Sequence, residues 1–160
     1  MAEDMGAPTF FSPEWAAAAR DVLRSGPSEH ARAGKLQEYW DFYELVRANY
    51  VASWALGVRD LPRELGDGPA YLRIEWAGGQ VKESRIVRPG EPVDATYVLA
   101  GDYADWKALY EGYDALRTVM YRKLILQDGQ LLEFFKAIYF FVECLALLAV
   151  TPTRFPSASG

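Results

Sequence analysis

Cys144 and His30 are the only cysteine and the only histidine in the chain. A thiol becomes a nucleophile when a neighbouring base or positive charge turns it into a thiolate. Cys144 lies in an apolar stretch, and His30 is far from it in sequence. Cys144 therefore reads as an inert buried thiol, and His30, in a polar loop-like stretch, as a surface residue. One cysteine excludes an internal disulfide, and one histidine leaves no ligand cluster for zinc. The carboxylates at suggestive spacing are Asp102 with Asp105, and Asp114. Each precedes an apolar-periodic run, the place of a helix cap rather than of an acid/base pair. Glu143, beside Cys144, is assigned to solvent. Gly78-Gly79 lacks the context of a phosphate-binding loop and reads as a turn. No catalytic residue, metal site or cofactor motif follows from these groups.

The remaining chemistry is apolar. The chain holds five Trp, ten Tyr and eight Phe within 51% hydrophobic residues. So many rings either fill a core or line a cavity. A length of 160 residues suits one domain, which buries roughly 70% of the surface its unfolded chain exposes. The net charge of −5, with no run of Lys or Arg, excludes nucleic acid as a partner. Twelve Arg against five Lys, together with 22 Ala, read as the coding bias of a GC-rich bacterial genome. The lone cysteine and an acidic N-terminus without a signal-peptide pattern point to the cytoplasm. Residues 131–150 are nearly apolar, but Glu133, Lys136 and Glu143 make a membrane span too costly.

Residues 1–11 read as an N-terminal tail. Ser12-Pro13-Glu14 opens a helix to about residue 24, with Ser12 at the N-cap and Pro13 at N1. A second helix is expected over about 33–50, from Leu36, Tyr39, Trp40, Tyr43, Val46 and Tyr50 at three- and four-residue steps. The period then shortens to two. Residues 53–60 read as a half-buried strand, 61–69 as a loop, and 71–76 as a second strand. Gly78-Gly79 turns into a third strand over 80–88, charged enough for a sheet edge. A fourth strand follows over 95–100, then short helices from Asp102 to Gly112 and from Asp114 to about Tyr121. A fifth strand covers 123–127, and one long helix runs over 131–150. The domain is placed at 12–156, with a helical N-terminal part over 12–50, a sheet with helices over 52–150, and a C-terminal tail at 157–160. The class is α+β.

On a helical wheel, Glu133, Lys136 and Glu143 fall in one narrow sector of the long helix, and nearly every other position is apolar. A surface helix needs an apolar stripe of only about 100°. Three coverings are open: other helices of the domain, a second copy pairing through this helix, or a ligand cavity between helix and sheet.

From about Tyr71 to Pro156 the chain resembles the sterol carrier protein 2 (SCP2-type sterol-binding) domain. Asp94-Ala95-Thr96-Tyr97-Val98-Leu99-Ala100-Gly101-Asp102 entering Tyr103-Ala104-Asp105-Trp106-Lys107 is similar to a family strand that runs into a Trp-bearing helix. Tyr110-Glu111-Gly112-Tyr113-Asp114 through Met120 is similar to its glycine, acidic cap and methionine-bearing helix. Tyr121 through Gly129 resembles the strand before the last helix, and Thr151-Pro152-Thr153-Arg154-Phe155-Pro156 the ending of a bacterial branch. Two positions depart from the pattern. Arg122-Lys123 stands where the family usually has Gly-Lys, and Asp128-Gly129 where it has Gly-Asp. The turn geometry is expected to differ there, with Arg122 placed to narrow or gate one end of a cavity.

The resemblance implies a mixed five-stranded sheet covered by helices, with an apolar tunnel between them. It also implies non-enzymatic carriage of a lipid-like molecule: a fatty acyl chain, an acyl-CoA or a sterol-like compound. Each buried CH₂ adds about 0.8 kcal/mol, so an acyl chain binds without covalent chemistry. The candidate ligand-binding residues are Trp106, Leu109, Met120, Leu124, Leu126, Leu131, Phe135, Ile138, Tyr139 and Val142. For Trp106 the choice between core anchor and tunnel wall stays open. Two other classes are carried alongside: a small cone-shaped α+β enzyme acting on an apolar substrate, and an interaction subunit that forms a homodimer through the terminal helix.

Overall fold

A computed structural model describes residues 6–156 of the chain; the outermost parts of both expected tails lie outside the described residues. Three helices come first: α1 (Pro13–Ser25), α2 (Glu29–Ala33) and α3 (Gln37–Ala48). Strands β1 (Ala52–Val58), β2 (Ala70–Ala77), β3 (Gln80–Val87) and β4 (Tyr97–Gly101) follow. Helices α4 (Tyr103–Tyr110) and α5 (Ala115–Met120), strand β5 (Leu124–Asp128), and helices α6 (Leu131–Lys136) and α7 (Ile138–Ala149) complete the chain. The sheet order is β3-β2-β1-β4-β5, with β1 parallel to β4 and every other pair antiparallel. This is the expected α+β class with a mixed five-stranded sheet, and the charged third strand lies at its edge.

The local caps explain where α1 and α5 begin. The Ser12 hydroxyl accepts from the Trp15 N–H at 3.1 Å, and Pro13 occupies the first turn, where its missing donor costs nothing. A carboxylate oxygen of Asp114 accepts from the Arg117 N–H at 3.0 Å. Asp102 departs from expectation. It stands at the N-cap of α4 but makes no side-chain cap bond; its carboxylate pairs with Arg59 at 3.0 Å, and Asp60 caps the Tyr103 N–H at 2.7 Å. Asp105 faces Lys123 at 3.6 Å rather than completing a capping box.

The strand expected to be half buried is the central one, and Trp54 through Val58 are all buried. Pairing explains this. Gly57 lies opposite Tyr71 and Ala55 opposite Arg73, so the long side chains of β2 cover the small residues of β1 on the outer face. A Cβ at Gly57 would lie 2.4 Å from the Tyr71 ring, so a larger residue there would have to displace that ring.

Three further expectations are corrected. Phe10 and Phe11, placed in the N-terminal tail, are fully buried. Phe10 lies 4.9 Å from the Trp15 ring and 4.8 Å from that of Phe155, and backbone bonds tie Pro8 and Phe10 to Arg154. A two-residue apolar step has no period, so the sequence did not mark it as core. The second helix spans only Gln37–Ala48, and a separate short helix, Glu29–Ala33, precedes it in the stretch around His30 read as a loop, so this part holds two helices. Ser28 caps the first, and the Trp40 indole donates to the Arg32 carbonyl at 2.8 Å. The long terminal helix is also two, broken at Ala137 (φ −113°, ψ 26°). Across the break the Phe134 and Phe141 rings approach to 4.9 Å, although seven residues of straight helix separate Cα atoms by about 10.5 Å.

Most of the apolar surface of α7 is covered from within the chain, by α1, α3, α4 and α5, while Tyr139 stays exposed. Between sheet and helices, Trp54, Trp76, Phe140 and Phe141 interlock at centroid separations of 5.0–5.7 Å. These rings pack the space between β1, β2 and α7. Among the described residues no helix is long and apolar enough to cross a membrane.

Candidate functional site

Open space lies at the β5 end of the sheet. A cavity of about 510 Å³ is bounded by β4, β5, α5 and α6. Leu99, Leu124, Ile125 and Leu126 form its sheet wall. Val119 and Met120 close it from α5; Leu131, Phe134 and Phe135 close it from α6; Arg122 lines it between α5 and β5. The volume falls in the range of ordinary small-molecule sites, and the lining has their character, mostly apolar with few polar groups.

Two turns hold the walls apart. After α5 the Arg122 N–H donates to the Val119 carbonyl at 3.1 Å, and the Lys123 N–H to the Thr118 carbonyl at 3.0 Å. These are the paired bonds of a Schellman helix end, and the residue between them must be left-handed. Arg122 fills that position with φ +59°. After β5, Gly129 takes φ +113°, and a Cβ there would come within 2.7 Å of the Thr96 carbonyl. The chain can thus turn tightly enough to set Phe134 against Tyr97, with ring centroids 5.4 Å apart. Phe134 is buried, whereas Met120, Leu131 and Phe135 are 59%, 54% and 42% exposed. These three large apolar side chains edge a cavity open to solvent.

Of the ten candidate residues, the structure brings five together here: Met120, Leu124, Leu126, Leu131 and Phe135. Trp106 and Leu109 are buried beside a crevice that has no room for a water molecule. The Trp106 indole N–H donates to the Gly57 carbonyl at 2.9 Å and fastens α4 to the central strand. Ile138 packs against the edge of the core. Tyr139 and Val142 border a separate cavity of about 260 Å³, with Lys35, Tyr39 and Glu143. Leu99, Val119, Ile125 and Phe134 were not among the candidates. The alternation of β4 put Leu99 on the same face as Tyr97, and that signal was available; Phe134 was obscured by the uniform apolarity of its helix.

Glu143 does not face solvent. It is buried, with the Tyr39 hydroxyl donating to its carboxylate at 2.5 Å and Lys35 forming an ion pair with the same oxygen. The partners lie about a hundred residues upstream, so helix periodicity alone did not reveal them. Burial, and then the bond to Glu143, hold the Tyr39 phenol far above its ordinary ionisation range. Glu143 is the one buried carboxylate among the described residues, and its partners already engage it. Burial pushes the Cys144 thiol well up, leaving it neutral. Among the described residues no cluster of three metal-ligating side chains occurs.

No family model matches the chain, and no curated protein matches it by sequence. Solved structures do match. A crystal structure of sterol carrier protein 2 superposes with a TM-score of 0.68 at 20% identity, covering 89% of this chain and 98% of that one. The solution structure of a conserved hypothetical protein from Thermus thermophilus superposes at 0.66 and 19% identity, covering 95% and 97%. The architecture is therefore a helix-covered mixed sheet of a known type. Its fold is that of sterol carrier protein 2.

Proposed function

We propose that the protein binds a lipid-like molecule without transforming it, inserting the apolar part of the ligand into the cavity between β5, α5 and α6. The observation that carries this reading is the cavity itself: about 510 Å³, with nine of its ten lining residues apolar. Burial of hydrocarbon supplies the affinity, at about 0.8 kcal/mol per CH₂ before the cost of ordering the ligand. The fold shared with sterol carrier protein 2 is consistent with such a role, although fold alone does not set function. The reading as an enzyme has less support, since the one buried carboxylate among the described residues is already engaged by Lys35 and Tyr39. Pairing through the terminal helix has less support too, since seven of the twelve residues of α7 are buried within the chain.

A paired substitution tests the site. Phe135→Trp adds bulk at the cavity, and Ile138→Trp adds it three residues on, outside the lining. Displacement of the neutral dye Nile red by a fatty alcohol should weaken at least about tenfold for the first and stay near wild type for the second. Equal behaviour of the two variants, or no dye binding by the wild type, would refute the assignment.

A further inference from the structure

The geometry points to an anionic head group on the ligand, a carboxylate, held by Arg122 at the edge of the cavity. This rests on the lipid-binding reading above and narrows it to single-chain amphiphiles that carry an acid. Arg122 is the only ionisable residue among the ten that line the cavity, and it is exposed. Among the described residues its side chain takes part in no ion pair and no hydrogen bond. By contrast Lys123, the next residue, faces Asp105, and Lys136, at the end of α6, is engaged by Glu133. A guanidinium always carries its charge and presents paired donors that match the two oxygens of a carboxylate.

The backbone adds an independent observation. Arg122 sits at φ +59°, where side chains other than glycine, asparagine and aspartate are uncommon. Phe11 adopts a similar φ of +61°, but its ring is fully buried and packs on Trp15 at 5.1 Å, so the core holds it in place. No such packing accounts for Arg122. The Schellman turn needs a left-handed residue, and glycine would serve it better. An arginine at a position that favours glycine, beside an otherwise apolar cavity, sets a fixed positive charge where the polar end of a ligand would emerge.

Nile red displacement by laurate and by lauryl alcohol, at about pH 8 where a free carboxylate is ionised, tests this on the full chain. Wild type should prefer the acid by about two- to fivefold, the scale of an ion pair open to solvent. Arg122→Gly and Arg122→Asn both suit the left-handed turn, so loss of folding does not confuse the result; circular dichroism checks it. Both variants should lose the acid preference, so that laurate and lauryl alcohol displace the dye alike in each. Retention of the preference in both variants, or its absence in wild type that binds the alcohol, overturns the role of Arg122 while leaving the cavity reading intact. Failure of acid and alcohol alike to displace the dye overturns both. Equal loss of both ligands in the variants would make Arg122 a wall rather than a selector, and would also overturn the inference.

Discussion

The buried cluster of Glu143, Tyr39 and Lys35 allows a ranking of substitutions worked from its geometry. Glu143 lies on α7 with 8% of its side chain exposed, while the Lys35 side chain is 45% exposed. Tyr39→Phe deletes one hydrogen bond to a charged, desolvated acceptor, which costs about 1.5–3 kcal/mol. Lys35→Met leaves the carboxylate buried with only the phenol beside it. Breaking a fully buried pair costs about 3–5 kcal/mol, but solvent reaches the lysine, so the expected loss is about 1–2 kcal/mol. Glu143→Leu removes the buried charge, lets Lys35 return to water and adds apolar contact. It should therefore change stability by less than about 1 kcal/mol, despite replacing the most buried acid among the described residues. Urea denaturation followed by tryptophan fluorescence measures all three on one scale, provided the slopes agree. A loss above about 3 kcal/mol in Glu143→Leu, with Tyr39→Phe and Lys35→Met neutral, would refute the reasoning. In that case the carboxylate would be needed for something other than satisfying its neighbours.

Other predictions follow from features of the fold. Trp106→Phe should destabilise by about 1–3 kcal/mol through the lost bond to Gly57, and Trp106→Ala by at least about 3–5 kcal/mol, because a cavity is added; near-equal midpoints in urea would contradict an anchoring role. Burial is the largest influence holding the phenols of Tyr39, Tyr43, Tyr50 and Tyr110 above their ordinary range. Their stabilising contribution is complete below about pH 10, the unfolded value, and is lost progressively above it as the unfolded chain gives up protons that the folded chain keeps. Phenolate absorbance should accordingly show these four ionising only with unfolding, and a single reversible titration of all ten tyrosines in folded protein would contradict it. Arg122→Gly should raise stability by about 1 kcal/mol, since it relieves a left-handed arginine; a lower thermal midpoint would show that its side chain contributes to the fold.

What could be read from the sequence was what is decided within a few residues. Ser12 and Asp114 cap helices because a cap needs only its own first turn, and the Gly78-Gly79 turn needs only its flanking alternation. Asp102 looked equally local, yet Arg59, 43 residues earlier, takes its carboxylate. The burial of Glu143 depends on α3, and the burial of Ala55 and Gly57 on residues of β2. The cavity was half legible for the same reason. Met120, Leu124 and Leu126 follow from resemblance and strand period, whereas Trp106 and Val142, equally apolar, face other surroundings. No periodicity distinguishes a ring that lines space from a ring that fills it. The break at Ala137 was invisible because it involves neither proline nor glycine.

Thr9 and Arg154 are joined by a parallel bridge, and Phe10 inserts between Trp15, Tyr110 and Phe155. The last part of the core to close is therefore one that spans almost the whole described chain. Hairpin β2–β3 forms from neighbours, but this cluster must await the residues around position 155. Contacts of such separation form late and slow the search. On a ribosome, the sheet and most helices would emerge with Phe10 and Phe11 still exposed as a sticky pair. Closure of this cluster should therefore be a slow step of refolding, and shielding residues 8–15 should raise the refolding yield more than shielding the sheet.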